Sequence, residues 1–385
     1  MRIAHVITRL ILGGAQENTV LCCEDLLRDY GDQILLVTGP PLGPEGSLLE
    51  RARSAGVPVK MIGSLRRAIH PVRDTAAYRD VKKALRHFSP EVVHTHSAKG
   101  GFLGRAAAWS LGVPAIVHTV HGAPFHPFQS PASRFFYQRC ERWAAQRCHA
   151  MISVANAMTE LMVGAGVAPP EKFTTIHSGM EVEPLLKADE QRDAVRAQFG
   201  YGNRQVVIGK IARLFHLKGH QYVVEAARRV VAECPQARFL FVGDGVLRDR
   251  LERQIEAAGL SDYFHFTGLV EPERLPGLIA AMDVLVHASL REGLARVLPQ
   301  ALIVGRPVVS FDVDGAREVV VDDATGFLVA PKDVDGLATA LIRLAADGSL
   351  RQHLGQGGRS SCAEQFDHHR MTLEIRRLYE RLLAP

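Results

Sequence analysis

Short apolar runs alternate with longer amphipathic segments along most of the chain. In its first half RIAHVI, QILLVT, VPVKMI, EVVHTH, PAIVHTV, HAMISV and KFTTIH are strand-length and rich in β-branched residues. Segments with helical spacing of their apolar positions separate them. After a polar interval, SGMEVEPLLKADEQ, a second series begins: QVVIGKIA, RFLFVG, YFHFTG, DVLVHA, RPVVSF and GFLVA. Strands that are apolar along nearly their whole length and separated by helices predict parallel sheets covered on both faces. The pattern therefore predicts an α/β protein of two similar halves, residues 1–183 and 184–365. Periodicity lapses between them near 178–190, where Pro184 interrupts. Residues 360–384 read as one helix with no strand after it.

Length changes this picture little, since 385 residues suit two domains of ordinary size. With 47% hydrophobic and 23% charged residues the chain is globular. A formal charge of +5 is far from the field of a nucleic-acid binder, so a local basic site is expected and no nucleic-acid partner. Cys22, Cys23, Cys140, Cys148, Cys234 and Cys362 form no C-x-x-C pair and no metal spacing, which suits reduced, buried thiols in a cytoplasm. MRIAHVITRL enters a strand directly, so no signal peptide is expected, and no apolar run is long enough to span a membrane.

Ligands of open parallel sheets lie beyond the carboxyl ends of the strands, here in an expected cleft between the halves. The most informative stretch is HASLREGLARVLPQA, residues 287–301: a strand end, Glu292 and Gly293 in a loop, then a helix start carrying Pro299 and Gln300. At helical rise, Glu292 and Gln300 would be about 12 Å apart, near the span of a nucleotide diphosphate. Free N–H groups at the helix start would meet its phosphates. Upstream, KIARLFHLKGHQ places Arg213 and Lys218 in one strand-to-helix loop, suited to the two charges of a diphosphate; two solvated surface cations are the alternative. GGAQENTV, residues 13–20, and the GDG of residues 243–245 are glycine turns without the spacing of a dinucleotide fingerprint.

Histidines cluster after strands. His94 and His96 share one strand face, and no third ligand at a recognisable spacing argues for a metal. His121, past a strand end beside Gly122, reads either as a cleft donor to sugar or phosphate or as a packed capping residue. Residues 65–88 carry seven Lys or Arg against two Asp and read either as a solvated face or as a basic helix lying on an anionic bilayer.

Taken together, GGAQ, VVHTHSAKGG, VHTVHG, HSGME, IARLFHLKGHQ, FVGDG, FTGLV and ASLREGLARVLPQALIVGRPVVSFDVDGAREVV resemble the family-four retaining glycosyltransferases of the GT-B fold over nearly the whole chain. The resemblance implies two Rossmann-like domains, the second holding a nucleotide-sugar and the first an acceptor, with a final helix, 366–385, packing back on the first. It implies no divalent metal and no cofactor beyond the nucleotide-sugar co-substrate. By position Arg213 and Lys218 match the pyrophosphate clamp, Glu292 the sugar-hydroxyl ligand, His121 the cleft histidine and Gly14 the phosphate or acceptor loop. Gly243, Gly293, Leu294 and Gln300 fall on the donor side. Gln300 stands where the family has the second glutamate of Glu-x7-Glu, and Gln16 where GGAE is usual.

The implied reaction moves a hexose or N-acetylhexosamine, expected on UDP, to a hydroxyl acceptor in glycan, glycolipid or polysaccharide synthesis; the sequence leaves the acceptor open, a lipid-linked one going with the bilayer reading of residues 65–88. Acceptor choice would fall to loops 39–46 and 122–131. A nucleotide-sugar epimerase of the same fold and a noncatalytic nucleotide-sugar-binding protein are the rival readings.

Overall fold

The computed structural model describes residues 1–43 and 46–384; Pro44 and Glu45 of the expected acceptor loop 39–46 lie outside them. All thirteen expected runs form strands. In the first sheet these are β1 (Arg2–Arg9), β2 (Gln33–Gly39), β3 (Val59–Met61), β4 (Val92–His96), β5 (Ala115–Val120), β6 (Ala150–Ser153) and β7 (Phe173–Thr175). In the second they are β8 (Val206–Ile211), β9 (Ala237–Val242), β10 (Phe264–Phe266), β11 (Val284–His287), β12 (Val308–Phe311) and β13 (Gly326–Val329).

The sheets run in the orders β3-β2-β1-β4-β5-β6-β7 and β10-β9-β8-β11-β12-β13, with parallel pairing throughout. Strand order reverses between β1 and β4 in the first sheet and between β8 and β11 in the second. At such a switch point the loops after the two central strands diverge to opposite faces and open a crevice. The switch points thus gather the loops carrying GGAQ and HSAKGG in one sheet, and those carrying Lys218 and Glu292 in the other.

The chain divides into two compact units, Met1–Met180 with Phe366–Pro385, and Glu181–Gln365. In the first, Ile3, Ile7, Leu36, Val92 and Val117 form a core with Ile375, Leu378 and Tyr379 of the helix His368–Leu383. Burying side chains such as Ile375 and Leu378 contributes about 1.5–3 kcal/mol each, which ties this helix to the first sheet. Ile208, Phe239, Phe241, Val286, Val309, Phe311 and Leu341 anchor the core of the second unit.

The C-terminal segment is not one helix. It breaks between Arg359–Gln365 and His368–Leu383, because the Asp367 side chain accepts hydrogen bonds from the His369 and Arg370 N–H groups and caps the second helix. Buried Phe366 and the pairing of Met180 with Phe366 and His368 fix the break at the crossing from the second unit to the first.

Candidate functional site

In the second unit β8 ends at Ile211, so Arg213 lies two residues into the loop rather than at the strand end. That loop closes at Gly219, which caps the helix His220–Glu233 with φ +69°. A Cβ on Gly219 would stand 1.8 Å from the Ala288 carbonyl oxygen, so only glycine permits the close approach of this loop to the end of β11. One step away the Leu290 N–H donates to the Leu217 carbonyl at 2.8 Å. The two loops are therefore laced together, and Lys218 Nζ meets Glu292 Oε1 at 2.5 Å. Asp314, in the loop after β12, accepts the Glu292 N–H at 2.6 Å and holds the backbone beneath the carboxylate.

His287, the last residue of β11, places Nε2 3.4 Å from the same Glu292 oxygen. Burial alone would push the Glu292 carboxyl up, but the Lys218 ammonium and His287 outweigh it and hold the pKa below the usual carboxylate range. Glu292 is thus a carboxylate across the neutral range. Arg213, exposed in the same loop as Lys218, lies over the Phe215 ring at 4.9 Å.

Sequence reading passed over the residue beneath this pair. Lys210 of β8 is buried, and its Nζ has no hydrogen-bond partner among the described residues. Burial pushes its pKa down to about 7, the Lys218 charge acts the same way, and Glu292 opposes both. Both ring nitrogens of His220 and the Ser289 hydroxyl oxygen are likewise buried without partners, and burial pushes His220 down to about 2. Buried polar atoms without partners are uncommon, and a cluster of them beside an ion pair marks a place built to receive a polar ligand.

The other donor-side candidates of the second unit lie in the neighbouring loops and the helix that follows them. Gly243, at φ +132°, brings its backbone so close to Ala212 that a Cβ would lie 2.3 Å from the carbonyl oxygen. Gly293 is half-buried and Leu294 buried in the loop after β11, and buried Gln300 is the fourth residue of the helix Val297–Ile303. Residues 292–296 are not helical, so helical rise does not set the Glu292–Gln300 separation. The helix has seven residues, and its first turn does not offer the row of free N–H groups expected from the sequence: the Leu298 and Gln300 N–H groups donate to the Ala295 and Arg296 carbonyls, and Pro299 has none.

Gly14 and His121 belong to the first unit. Gly14 opens the helix Gly14–Arg28, and a cavity of about 250 Å³ at the ends of β4 and β5 is lined by Ala15, Ser97, Thr119 and His121. Behind it runs a row of imidazoles. His121 Nε2 is 3.1 Å from His96 Nδ1, and His96 Nε2 is 3.0 Å from His5 Nδ1. His94, paired in register with His5, meets the Tyr379 hydroxyl at 2.5 Å through Nδ1 and the Thr119 hydroxyl at 2.7 Å through Nε2. Burial pushes His5 down to about 3 and holds His94 and His96 well below the ordinary histidine value. His5 supplies the third ring that spacing alone did not reveal, close enough with His94 and His96 to suggest a metal site. The nitrogens of His94 and His96 are instead taken up by hydrogen bonds to hydroxyls and to neighbouring rings.

Residues 14–179 match the family model of the glycosyl transferase 4-like domain, and residues 191–361 that of glycosyl transferases group 1. An Escherichia coli UDP-Gal:alpha-D-GlcNAc-diphosphoundecaprenol alpha-1,3-galactosyltransferase is 28% identical over 91% of this chain and 89% of its own. A 2-deoxystreptamine glucosyltransferase of Streptomyces kanamyceticus is 27% identical over 80% and 82%. The Anabaena protein HepE, solved in complex with UDP, superposes with a TM-score of 0.82 at 22% identity over 99% of this chain and all of that one. With both halves matched in order, and with two parallel sheets of this topology, the chain belongs to the group 1 glycosyltransferases of family four, nucleotide-sugar-dependent enzymes of the GT-B fold.

Proposed function

We propose that this chain is a retaining transferase of a hexose or N-acetylhexosamine from a UDP-sugar to a hydroxyl on a lipid-linked glycan precursor. The observation that carries the reading is the Lys218–Glu292 pair beside Lys210 Nζ and the His220 ring nitrogens, which are buried without a partner among the described residues. In this reading Lys218 and Arg213 receive the diphosphate, Glu292 accepts hydrogen bonds from sugar hydroxyls, and Gln300 bonds the ribose. Gly14, Gly243, Gly293 and Leu294 bring backbone close to the donor, and His121 stands by its sugar. The E. coli relative, named for a UDP-galactose donor and a diphosphoundecaprenol acceptor, supports both halves of the proposal.

As the bond from the anomeric carbon to the diphosphate breaks, positive charge grows on the sugar and negative charge on the departing phosphate. Cations already in place at the phosphate need no reorganisation and lower that barrier, the task a divalent metal would otherwise perform. The acceptor oxygen bonds the anomeric carbon on the face the phosphate leaves, and its proton passes to a phosphate oxygen. We place the enzyme at the cytoplasmic face of a membrane, with the basic segment 65–88 drawn to anionic lipid. Among the described residues no helix is long and apolar enough to cross a membrane.

Thermal shift against nucleoside diphosphates and their sugars, followed by transfer assays with the best donor, tests the reading. Selective stabilisation by UDP and product retaining the donor's anomeric configuration are expected; an inverted product overturns retention. Epimerised sugar from donor incubated alone would instead favour the epimerase.

A further inference from the structure

The helix Pro131–Ala145, PASRFFYQRCERWAA, turns its aromatic side chains outward. Phe135 is 64% exposed and Phe136 51%, and Trp143, two turns after Phe136 on the same stripe, is also exposed. Phe128 before this helix and Trp109 at the end of the neighbouring helix Ala98–Ser110 are exposed as well. Phe102 and Trp143 stack at 4.9 Å, and a groove of about 440 Å³ runs along Tyr78, Phe102, Trp109, Trp143 and Arg147. Single exposed apolar residues are ordinary, but a shared aromatic surface marks an interaction site.

Charge points to the partner. Arg134 and Arg139 are exposed on the same helix, and the Arg147 guanidinium lies over the Trp143 ring at 3.7 Å. The helix's one acid, Glu141, is buried and paired with Arg105 at 2.9 Å. Its outward face is therefore aromatic and cationic with no carboxylate, the composition of a helix lying at a lipid headgroup boundary. The basic helix Pro71–Phe88 differs, because its apolar stripe, Ala77, Val81 and Leu85, is buried. Its outer face can supply attraction but little insertion.

We propose that the Phe135–Trp143 face seats on an anionic phospholipid bilayer, with Phe135, Phe136 and Trp143 entering the headgroup–acyl boundary and Arg134 and Arg139 on lipid phosphates. This deepens the proposed lipid-linked acceptor, on which it rests, but is tested without one. Both tryptophans of the chain, Trp109 and Trp143, lie on this surface, so intrinsic fluorescence reports its insertion.

The full chain is mixed with vesicles of phosphatidylcholine, with and without phosphatidylglycerol. Co-sedimentation and a blue-shifted tryptophan emission are expected with the anionic vesicles only. F135S/F136S should weaken binding on the order of tenfold or more, and R134E/R139E by at least about fivefold for each arginine at low salt. Stabilisation by UDP should be unchanged in both variants, which separates failure here from failure of the donor reading. Wild-type protein that ignores anionic vesicles, or an F135S/F136S variant that binds them as wild type does, overturns the proposal. So does a wild-type dimer dispersed by F135S/F136S without lipid, which would make the face a contact between copies.

Discussion

Two buried polar clusters, one on each sheet, differ in what folding leaves undone. In the imidazole row His5–His96–His121, with His94 beside it, burial keeps His5, His94 and His96 neutral and the row largely closes its own hydrogen bonds; of these three fully buried rings only His5 Nε2 has no partner among the described residues. The cluster around Glu292 is charged, and Lys210 Nζ, both His220 nitrogens and the Ser289 hydroxyl oxygen are buried without partners among the described residues. A closed network is complete when the chain folds. An open one beside a carboxylate–ammonium pair keeps a desolvation penalty that an arriving polar ligand relieves. Under the proposed function, donor chemistry falls to the second unit and the positioning of one side chain, His121, to the first.

Removing the cations should have the largest effect. R213A/K218A is expected to lower kcat/KM at least on the order of 10² to 10³, the usual loss for one preorganised donor, while circular dichroism stays native. Unimpaired turnover would place the transition-state charge elsewhere. Lys210→Met should come next. The lysine's folded pKa of about 7 lies below its ordinary 10.5. Between those values the unfolded chain binds a proton that the folded chain does not, so wild-type stability rises with pH across that window. The methionine variant should therefore be more stable near neutral pH, at roughly 2–4 °C in Tm per kcal/mol recovered. Its advantage should shrink as pH climbs toward 10.5, and UDP should stabilise it less than wild type. A pH-independent Tm gain would mean that Lys210 keeps its proton in the folded chain, as it does in the unfolded one.

Much of this arrangement was legible in the sequence for reasons that particular residues show. The strands stood out because buried parallel strands are unbroken apolar runs, as in QVVIGKIA and DVLVHA. Lys218 and Glu292 were legible because each follows such a run beside a glycine; that they touch depends on the Gly219–Ala288 approach. Lys210 was not. A lone lysine in a strand reads as a surface cation, and its burial follows from β8 lying between β9 and β11. His5 escaped notice because 89 residues separate it from His94 and only the β1–β4 register joins them. The break at Asp367 was hidden inside continuous helical periodicity, since a cap is decided by where the chain must turn.

A smaller effect sharpens the first unit's role. A neutral His96 carries one ring proton, so, engaged on both sides, it makes the donor direction at its contact with His121 depend on that at its contact with His5. His96→Leu cuts the row. Losing one hydrogen bond worth about 1 kcal/mol predicts roughly a fivefold drop in kcat and a changed pH profile. Stabilisation by UDP should remain, because the proposed diphosphate contacts lie in the second unit. Lost UDP binding in this variant would erase the division of labour between the clusters.

The smallest expected change comes from Gln300→Glu, which restores the carboxylate of the Glu-x7-Glu pattern. A charge-assisted bond to a ribose hydroxyl is roughly twice as strong as a neutral one, but position 300 is buried and a second anion near the diphosphate opposes binding. The two effects nearly offset, so UDP affinity should rise no more than about twofold. Comparing UDP with 2′,3′-dideoxy-UDP isolates the term, because only a ribose contact at position 300 lets the variant gain with the first ligand and not with the second. An equal change with both ligands would move residue 300 off the ribose and make its charge a matter of the general field around the Lys218–Glu292 pair.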